Sequence, residues 1–358
     1  MCGTTRVEPT AFPTGGDATQ ALEPVRVAVL GCGYWGPNLI RNFAACDATR
    51  LAAVCDLDAE RLKRATAQYP AAKTFRDADE LLGDPHIDAV AIATPAGTHA
   101  KLSLAALDAG KHVLVEKPLA DTVRAAEAVV AKARQRGLTL MVDHTFVYSP
   151  PVRKIRQLID ADELGDIYYV DSVRINLGLF QSDVNVLWDL APHDISIVDH
   201  WFGRLPRSLA ATGVAHIGSD LEDVAYVNMD FGNSLIATFH VNWLSPVKLR
   251  HMIIGGSKRS LVYNDLDPVE PIKIYDRGIM TSANLDARRG LLVSYRTGDI
   301  HSPYLPREEP LQNVVRHFAE CVQTGRQPLT DGQVGLRIVQ MLEAAQRSIK
   351  AQGGRITL

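Results

Sequence analysis

The sequence predicts an α/β protein in two parts: a doubly wound parallel sheet, then an α+β domain with a large, mostly antiparallel, open-faced sheet. Three observations predict it. From Val25 to about residue 146, short apolar runs alternate with amphipathic stretches, the rhythm of βαβ units. Beyond that point the runs fill with β-branched and aromatic residues, as antiparallel strands do. The 358 residues are too many for one small core and suit two domains.

Taken in order, residues 1–24 carry Pro, Thr, Gly and Ala, with Arg6 the sole basic residue and no apolar signal-peptide core. They read as a loose N-terminal extension on a cytoplasmic protein. Residues 25–146 form the first domain. The run 25–30 reads as a buried parallel strand ending at glycines, 36–46 as a helix, 51–55 as a strand ending at Asp56, and 59–68 as a helix. Phe75 begins a connection into a short helix near 79–82. Strands follow at 89–93, 112–115 and 138–142, with helices at 100–109 and 123–136.

Residues 147–358 form the second domain. A helix near 151–159 begins at a proline, which the first helical turn tolerates. Strands are expected at 167–175, 223–231, 235–244, 249–254, 260–263 and 272–275, with Phe231-Gly232-Asn233 making a hairpin loop. Helices at 311–323 and 334–350 close the chain. There is no internal repeat. An apolar sheet face of this kind tends to be covered by another subunit, so a homodimer or homotetramer through the C-terminal sheet is expected.

Composition excludes several classes. With 22% charged residues and a net charge of −3, the chain has no basic field for nucleic acid or an anionic membrane. No apolar run approaches the length of a membrane span. The five cysteines, Cys2, Cys32, Cys46, Cys55 and Cys321, are odd in number, lack C-x-x-C spacing and read as reduced thiols.

The chemistry begins at Gly31-x-Gly33-x-x-Gly36, which follows a strand and opens a helix. Gly31 allows the turn, Gly33 lets backbone N–H groups approach a pyrophosphate, and Gly36 lets helix and strand pack closely. Tyr34 and Trp35 fall inside the loop. Asp56 lies 20 residues beyond Gly36, where a carboxylate accepts from the adenosine ribose hydroxyls. It would repel a 2′-phosphate, so NAD is favoured over NADP, although Arg61 and Arg64 follow closely. Thr94, Pro95 and Glu116 end strands at the same sheet edge and are expected to line the groove.

Downstream stand Glu116-Lys117-Pro118 and Asp189-Leu190-Ala191-Pro192-His193. Together they offer a lysine, a carboxylate and an imidazole, a set able to take a proton from a hydroxyl while a hydride leaves the same carbon. His193 suits the base, since an imidazole titrates near about 6.5. On a helical turn Asp189 shares its face and would fix its tautomer or contact a substrate hydroxyl. Lys117 would bridge cofactor and substrate and stabilise charge on the reacting oxygen. Zinc would need a third convergent ligand; Asp194, Asp199 and His200 follow without a recognised spacing, so no metal is expected.

In this order, and with Ala93-Thr94-Pro95, Thr98-His99 and Gly110-Lys111-His112-Val113 between them, the motifs resemble the glucose-fructose oxidoreductase/inositol dehydrogenase/rhizopine catabolism (Gfo/Idh/MocA) family. The likeness runs from about Val25 to the C-terminus. It implies a nicotinamide-dependent oxidoreductase in which Lys117 and His193 are the catalytic pair and His99 belongs to the cofactor site. Gly33-Tyr34-Trp35-Gly36-Pro37-Asn38-Leu39, Leu187-Trp188-Asp189-Leu190-Ala191-Pro192-His193-Asp194 and Trp243-Leu244-Ser245-Pro246-Val247-Lys248 are similar to segments of dehydrogenases that oxidise UDP-N-acetylhexosamines or their uronic acids at C3. The resemblance assigns no role to Val142-Asp143-His144, where relatives vary. Arg153, Tyr148, Arg174, Asn176 and Gln181 fall between the domains and are candidates for a hydroxylated or phosphorylated ligand. The rival expectations are a polyol or inositol dehydrogenase, a 3-ketosugar reductase, and an NAD-retaining glycoside hydrolase or lyase.

Overall fold

The computed structural model describes residues 23–178, 184–217, 220–276, 278–280, 294–296 and 298–358. Residues 1–22 and Gln181 therefore lie outside the described residues. Six parallel strands, β1 (Val25–Leu30), β2 (Thr49–Cys55), β3 (Lys73–Phe75), β4 (Ala89–Ile92), β5 (His112–Glu116) and β6 (Leu140–Asp143), lie in the order β3-β2-β1-β4-β5-β6. Helices α1 (Gly36–Ala45), α2 (Ala59–Gln68), α3 (Ala78–Leu82), α4 (His99–Asp108) and α5 (Val123–Arg136) connect them. β4 is buried throughout, as a parallel strand covered by helices on both sides must be.

Local chemistry sets the helix ends. The Asp58 carboxylate accepts from the N–H groups of Glu60 and Arg61 and starts α2; Thr122 starts α5 and Gly137, in the left-handed region, ends it. α2 and α5 match the expected bounds. β3 was not expected as a strand, because only Phe75 of its three residues is apolar.

The second half begins with α6 (Pro150–Asp160), β7 (Ile167–Leu177), α7 (Val186–Phe202), β8 (Ser208–Val214), β9 (Val224–Gly232), β10 (Leu235–Asn242) and β11 (Leu244–Gly256). It continues through β12 (Ser260–Asn264), β13 (Ile272–Tyr275), the β14 (Gly278–Met280)–β15 (Ser294–Arg296) pair, β16 (Ile300–His301), α8 (Pro310–Thr324), α9 (Gly332–Lys350) and β17 (Ile356–Thr357). Nine strands form one sheet, β16-β13-β12-β11-β7-β10-β9-β8-β17. The β7/β10 pair is parallel and the other pairings are antiparallel. The turn between β9 and β10 has Asn233 and Ser234 at positive φ, the backbone that a tight hairpin requires.

One sheet face packs on α7 and α9; on β7 it carries Val170, Ser172 and Arg174, all buried. The other face carries Tyr226, His240 and Val173 in one cross-strand row and Asn228, Thr238, Asp171 and Ile253 in the next. It is open.

The expected split at residue 147 needs one correction. α8 returns to the first domain, where Leu311, Val314, Val315 and Phe318 share a core with Val27, Leu39 and Phe43. Phe318 meets Phe43 edge-on at 6.4 Å between ring centres. α9 crosses the junction too, with Gly332 against Leu140 so tightly that a Cβ there would sit 2.6 Å from its side chain. The C-terminal segment thus binds both halves together.

Candidate active site

The glycine turn is built as the sequence suggests. Gly31 has φ +95° and an added Cβ would lie 2.5 Å from the Ala93 carbonyl; at Gly36 it would lie 2.0 Å from the Gly31 carbonyl. Neither position tolerates a side chain. Gly33 differs, since the nearest atom to an added Cβ is Arg61 Nη1, at 3.4 Å. That open approach fits a bound pyrophosphate.

Asp56 follows β2, but its carboxylate faces the turn. Oδ2 accepts from Cys32 N–H at 2.7 Å and Oδ1 from Asp58 N–H at 2.9 Å. Arg61 stands 3.7 Å from Asp56 and 3.5 Å from Asp58. Burial pushes the thiols of Cys32 and Cys321 up to about 12 and that of Cys55 to about 11, so these cysteines are inert. Tyr34 is exposed, while Trp35 is partly buried beside Asp143.

The loop after β5 brings Lys117 against helix α7. Asn185 caps α7 through Trp188 N–H and is itself held by Glu222 and Gln346. Pro192, inside the helix, lacks the N–H that would serve the Trp188 carbonyl and loosens that turn. Lys117 Nζ reaches into it, donating to the Asp189 carbonyl at 2.8 Å and to Oδ1 at 3.1 Å. Trp243 Nε1 donates to the other Asp189 oxygen at 3.2 Å. The carboxylate therefore orients Lys117, and the expectation that it fixes the His193 tautomer is corrected: its side-chain partners are Lys117 and Trp243, and no hydrogen bond joins it to His193.

His193 stands one turn further along, on the face shared with Asp189. It packs edge-on against Phe146 at 5.0 Å. The Arg174 guanidinium lies 4.6 Å over the same ring and Arg250 5.8 Å from it. Burial, then the positive charges of Lys117, Arg174 and Arg250, pushes the imidazole pKa well below its ordinary value. His193 is neutral near pH 7 and ready to accept a proton.

Other expected residues take different places. His99 is buried, with its two ring nitrogens 2.8 Å from the Pro118 and Thr94 carbonyls. It joins the two turns and does not face the groove. The Thr94 hydroxyl meets that of Thr98 at 2.6 Å, and Thr98 donates to the Pro95 carbonyl. Tyr148 is wholly buried, its hydroxyl 2.9 Å from His317 Nδ1 and 3.3 Å from Thr330. It cannot touch a ligand and fastens α8 to the junction. Arg174 is also buried, its fork spent on Asp194 at 2.9 and 2.5 Å, with Ser172 on the other Asp194 oxygen. It acts on His193 through charge and packing. Asn176 follows on the same strand face, partly exposed. Arg337 holds Asp199 at 2.8 Å.

Sequence reasoning missed Phe146, Trp243, Asp143 and Arg250. Trp243 is buried in the core, and its indole N–H serves the site. At the ends of β5 and β6, Glu116 and Asp143 stand in register, with His144 buried next to them.

A dinucleotide-binding sheet with a lysine, an orienting carboxylate and a neutral imidazole at its carboxyl edge defines the class: an NAD-binding oxidoreductase acting on CH–OH groups. Comparison with known proteins agrees. Residues 25–144 match the oxidoreductase family with an NAD-binding Rossmann fold, and residues 152–262 match the GFO/IDH/MocA C-terminal domain. The chain belongs to the Gfo/Idh/MocA family of oxidoreductases.

It is 28% identical to the UDP-N-acetylglucosamine 3-dehydrogenase of Acidithiobacillus ferrooxidans, over 88% of this chain and 94% of that one. The solved structure of that enzyme superposes with a TM-score of 0.78 at 27% identity, covering 91% and 97% of the two chains. Identity to the D-apiose dehydrogenase of Paraburkholderia graminis is 25%, over 93% and 92%. GenD2 from gentamicin A biosynthesis, solved in complex with NAD, shares the fold with a TM-score of 0.79 at 23% identity, covering 97% and 99%. Among the described residues no helix is long and apolar enough to cross a membrane.

Proposed function

We propose that this protein oxidises the C3 hydroxyl of a UDP-linked N-acetylhexosamine, or of its uronic acid, with NAD as hydride acceptor. The observation that carries the reaction is the Lys117–Asp189 pair, 3.1 Å apart, set beside a His193 whose pKa is lowered. Nicotinamide, when bound, supplies the hydride acceptor. His193 takes the hydroxyl proton, and Lys117, held by Asp189, stabilises the charge that grows on the oxygen. The glycine turn and Asp56 hold the dinucleotide, with Thr94, Pro95 and Glu116 along the groove and Asn176 toward the sugar. The preference for NAD rests on Asp56, whose carboxylate would repel a 2′-phosphate. The substrate rests on likeness to the UDP-N-acetylglucosamine 3-dehydrogenase.

A panel of UDP-N-acetylhexosamines, their uronates, free inositols and pentoses, followed at the nicotinamide absorbance with NAD and NADP, tests this. Turnover of a nucleotide sugar with NAD is expected, and His193→Ala should cut kcat by about a hundred- to ten-thousand-fold. Turnover of inositol or D-apiose alone would overturn the substrate, and glycoside cleavage without net reduced cofactor would overturn the reaction.

We propose also that a second copy of the chain covers the open sheet face, giving a homodimer or homotetramer. Tyr169, Tyr226, Ile236 and Ile253 on that face are 40%, 48%, 51% and 40% exposed, and large apolar side chains clustered at a surface mark an interaction site. Light scattering on the wild type and on Ile236→Lys tests it: the variant should fall to monomer, and a monomeric wild type sinks the idea.

A further inference from the structure

Glu116 and Asp143 are opposite residues on neighbouring parallel strands, so their side chains leave the sheet on the same side, at a strand spacing of about 4.8 Å. Asp143 is 1% exposed. Its Oδ1 accepts from the Thr145 hydroxyl at 2.7 Å, and Glu116 Oε2 accepts from Lys117 N–H at 3.3 Å. The two remaining oxygens, Glu116 Oε1 and Asp143 Oδ2, are buried and accept from no donor among the described residues. The nearest ammonium, Lys117, is committed to Asp189.

The other polar groups around the pair do not neutralise it. Trp35 lies beside Asp143, with Tyr148 nearby and fully buried. His144, next in sequence, is buried with both ring nitrogens unpartnered, and desolvation holds it down to about 3, hence neutral. His193, beyond Lys117, is neutral as well. Two desolvated carboxylates side by side cannot both stay ionised. Burial and then the Asp143 charge push Glu116 well above the ordinary carboxyl range, and burial raises Asp143 too. Like any coupled dyad, the two titrate as a unit.

Its place in the groove gives the dyad a use. The strand order reverses between β1 and β4, and a dinucleotide spans such a switch point. With the adenosine end at Asp56 after β2, the nicotinamide end would reach the ends of β5 and β6. The oxidised ring is a cation and the reduced ring is neutral.

We propose that Glu116 and Asp143 share one proton near pH 7 and act as a charge-matching positioning pair for the nicotinamide, releasing that proton when the cationic ring lies against them and keeping it beside the neutral ring. The inference rests on the NAD-binding reading above. The balance is simple: the dyad goes from one proton and one negative charge to two negative charges, and the proton passes to solvent. The extra negative charge favours the oxidised cofactor, and regaining the proton on reduction keeps the site from trapping either form.

Two readouts test this. Infrared spectroscopy of the ligand-free protein at pH 7 should show the C=O stretch of a buried protonated carboxyl, absent from Glu116→Gln/Asp143→Asn. Calorimetric titration with NAD+ and with NADH, in buffers of different ionisation enthalpy, should count about one more proton released for NAD+, a difference the double variant loses while its near-ultraviolet circular dichroism stays native. Absence of the carboxyl band, or equal proton counts for the two forms, would overturn the proposal. If neither NAD(H) nor NADP(H) binds, the cofactor reading falls, and the infrared band still decides whether the proton is shared.

Discussion

The cleft has two walls that satisfy their charges in opposite ways. On the wall of α7, β7 and the strand ends behind them, every cation named in the site has a carboxylate: Arg174 with Asp194, Lys117 with Asp189, Arg250 with Asp265. On the wall at the ends of β5 and β6, Glu116 and Asp143 are desolvated beside each other and His144 keeps two buried nitrogens without partners. Buried polar atoms are ordinarily hydrogen-bonded. The first wall pairs each of these cations with a carboxylate, leaving only Arg250 Nε among their buried nitrogens without an acceptor, and sets geometry. The second keeps buried acceptors, and the Trp35 indole N–H beside them, without partners among the described residues, which is why the proposed charge-matching role is placed there.

The largest expected effect breaks this contrast if it is wrong. Asp194→Ala strands the Arg174 guanidinium, 4% exposed, and should cost about 3–5 kcal/mol of stability. Asp143→Asn removes a carboxyl that has no cation and leaves an amide able to donate to Glu116. It should change stability by about 1 kcal/mol or less. Denaturant unfolding of both variants checks the pair of numbers, and similar losses from the two would show that the walls do not differ.

Much of the fold was legible because its local rules agree with one another. The strand–glycine–helix start, the Asp58 and Thr122 caps and the Gly137 terminator are all readable in the sequence, and α2 and α5 fall where they say. Lys117 and His193 were legible as a pair through their motifs. What escaped depends on long-range placement. β8 is small and weakly apolar, so only the sheet makes it a strand. α7 carries Pro192 in its interior, which argues against a helix until Lys117 is seen to use the loosened turn. Tyr148 looked like a substrate contact by position, but its hydroxyl is fixed by His317 and Thr330, 169 and 182 residues away. Asp143 gave no signal, because its meaning comes from the register that sets it against Glu116.

A smaller effect sharpens the contrast through pH. His144 is held at about 3 and His200 at about 4 by burial, and His193 is pushed down as well. Unfolded, each titrates near about 6.5. Between those values the unfolded chain binds more protons, so the stability these residues carry is complete above about pH 6.5 and is lost as pH falls, by about 1.4 kcal/mol per unit for each histidine. The dyad works in the other direction. Its carboxyls are raised, so above about pH 4.5, where they ionise in the unfolded chain, the native state holds the extra proton and loses stability as pH rises. Between about pH 4.5 and 6.5 the dyad therefore offsets one histidine. Removing it in Glu116→Gln/Asp143→Asn should steepen the acid loss in that window by about 1.4 kcal/mol per pH unit. Urea unfolding at half-unit pH steps reads the slope directly. An unchanged slope would mean the native pair holds no extra proton, and the two walls would then differ in geometry alone.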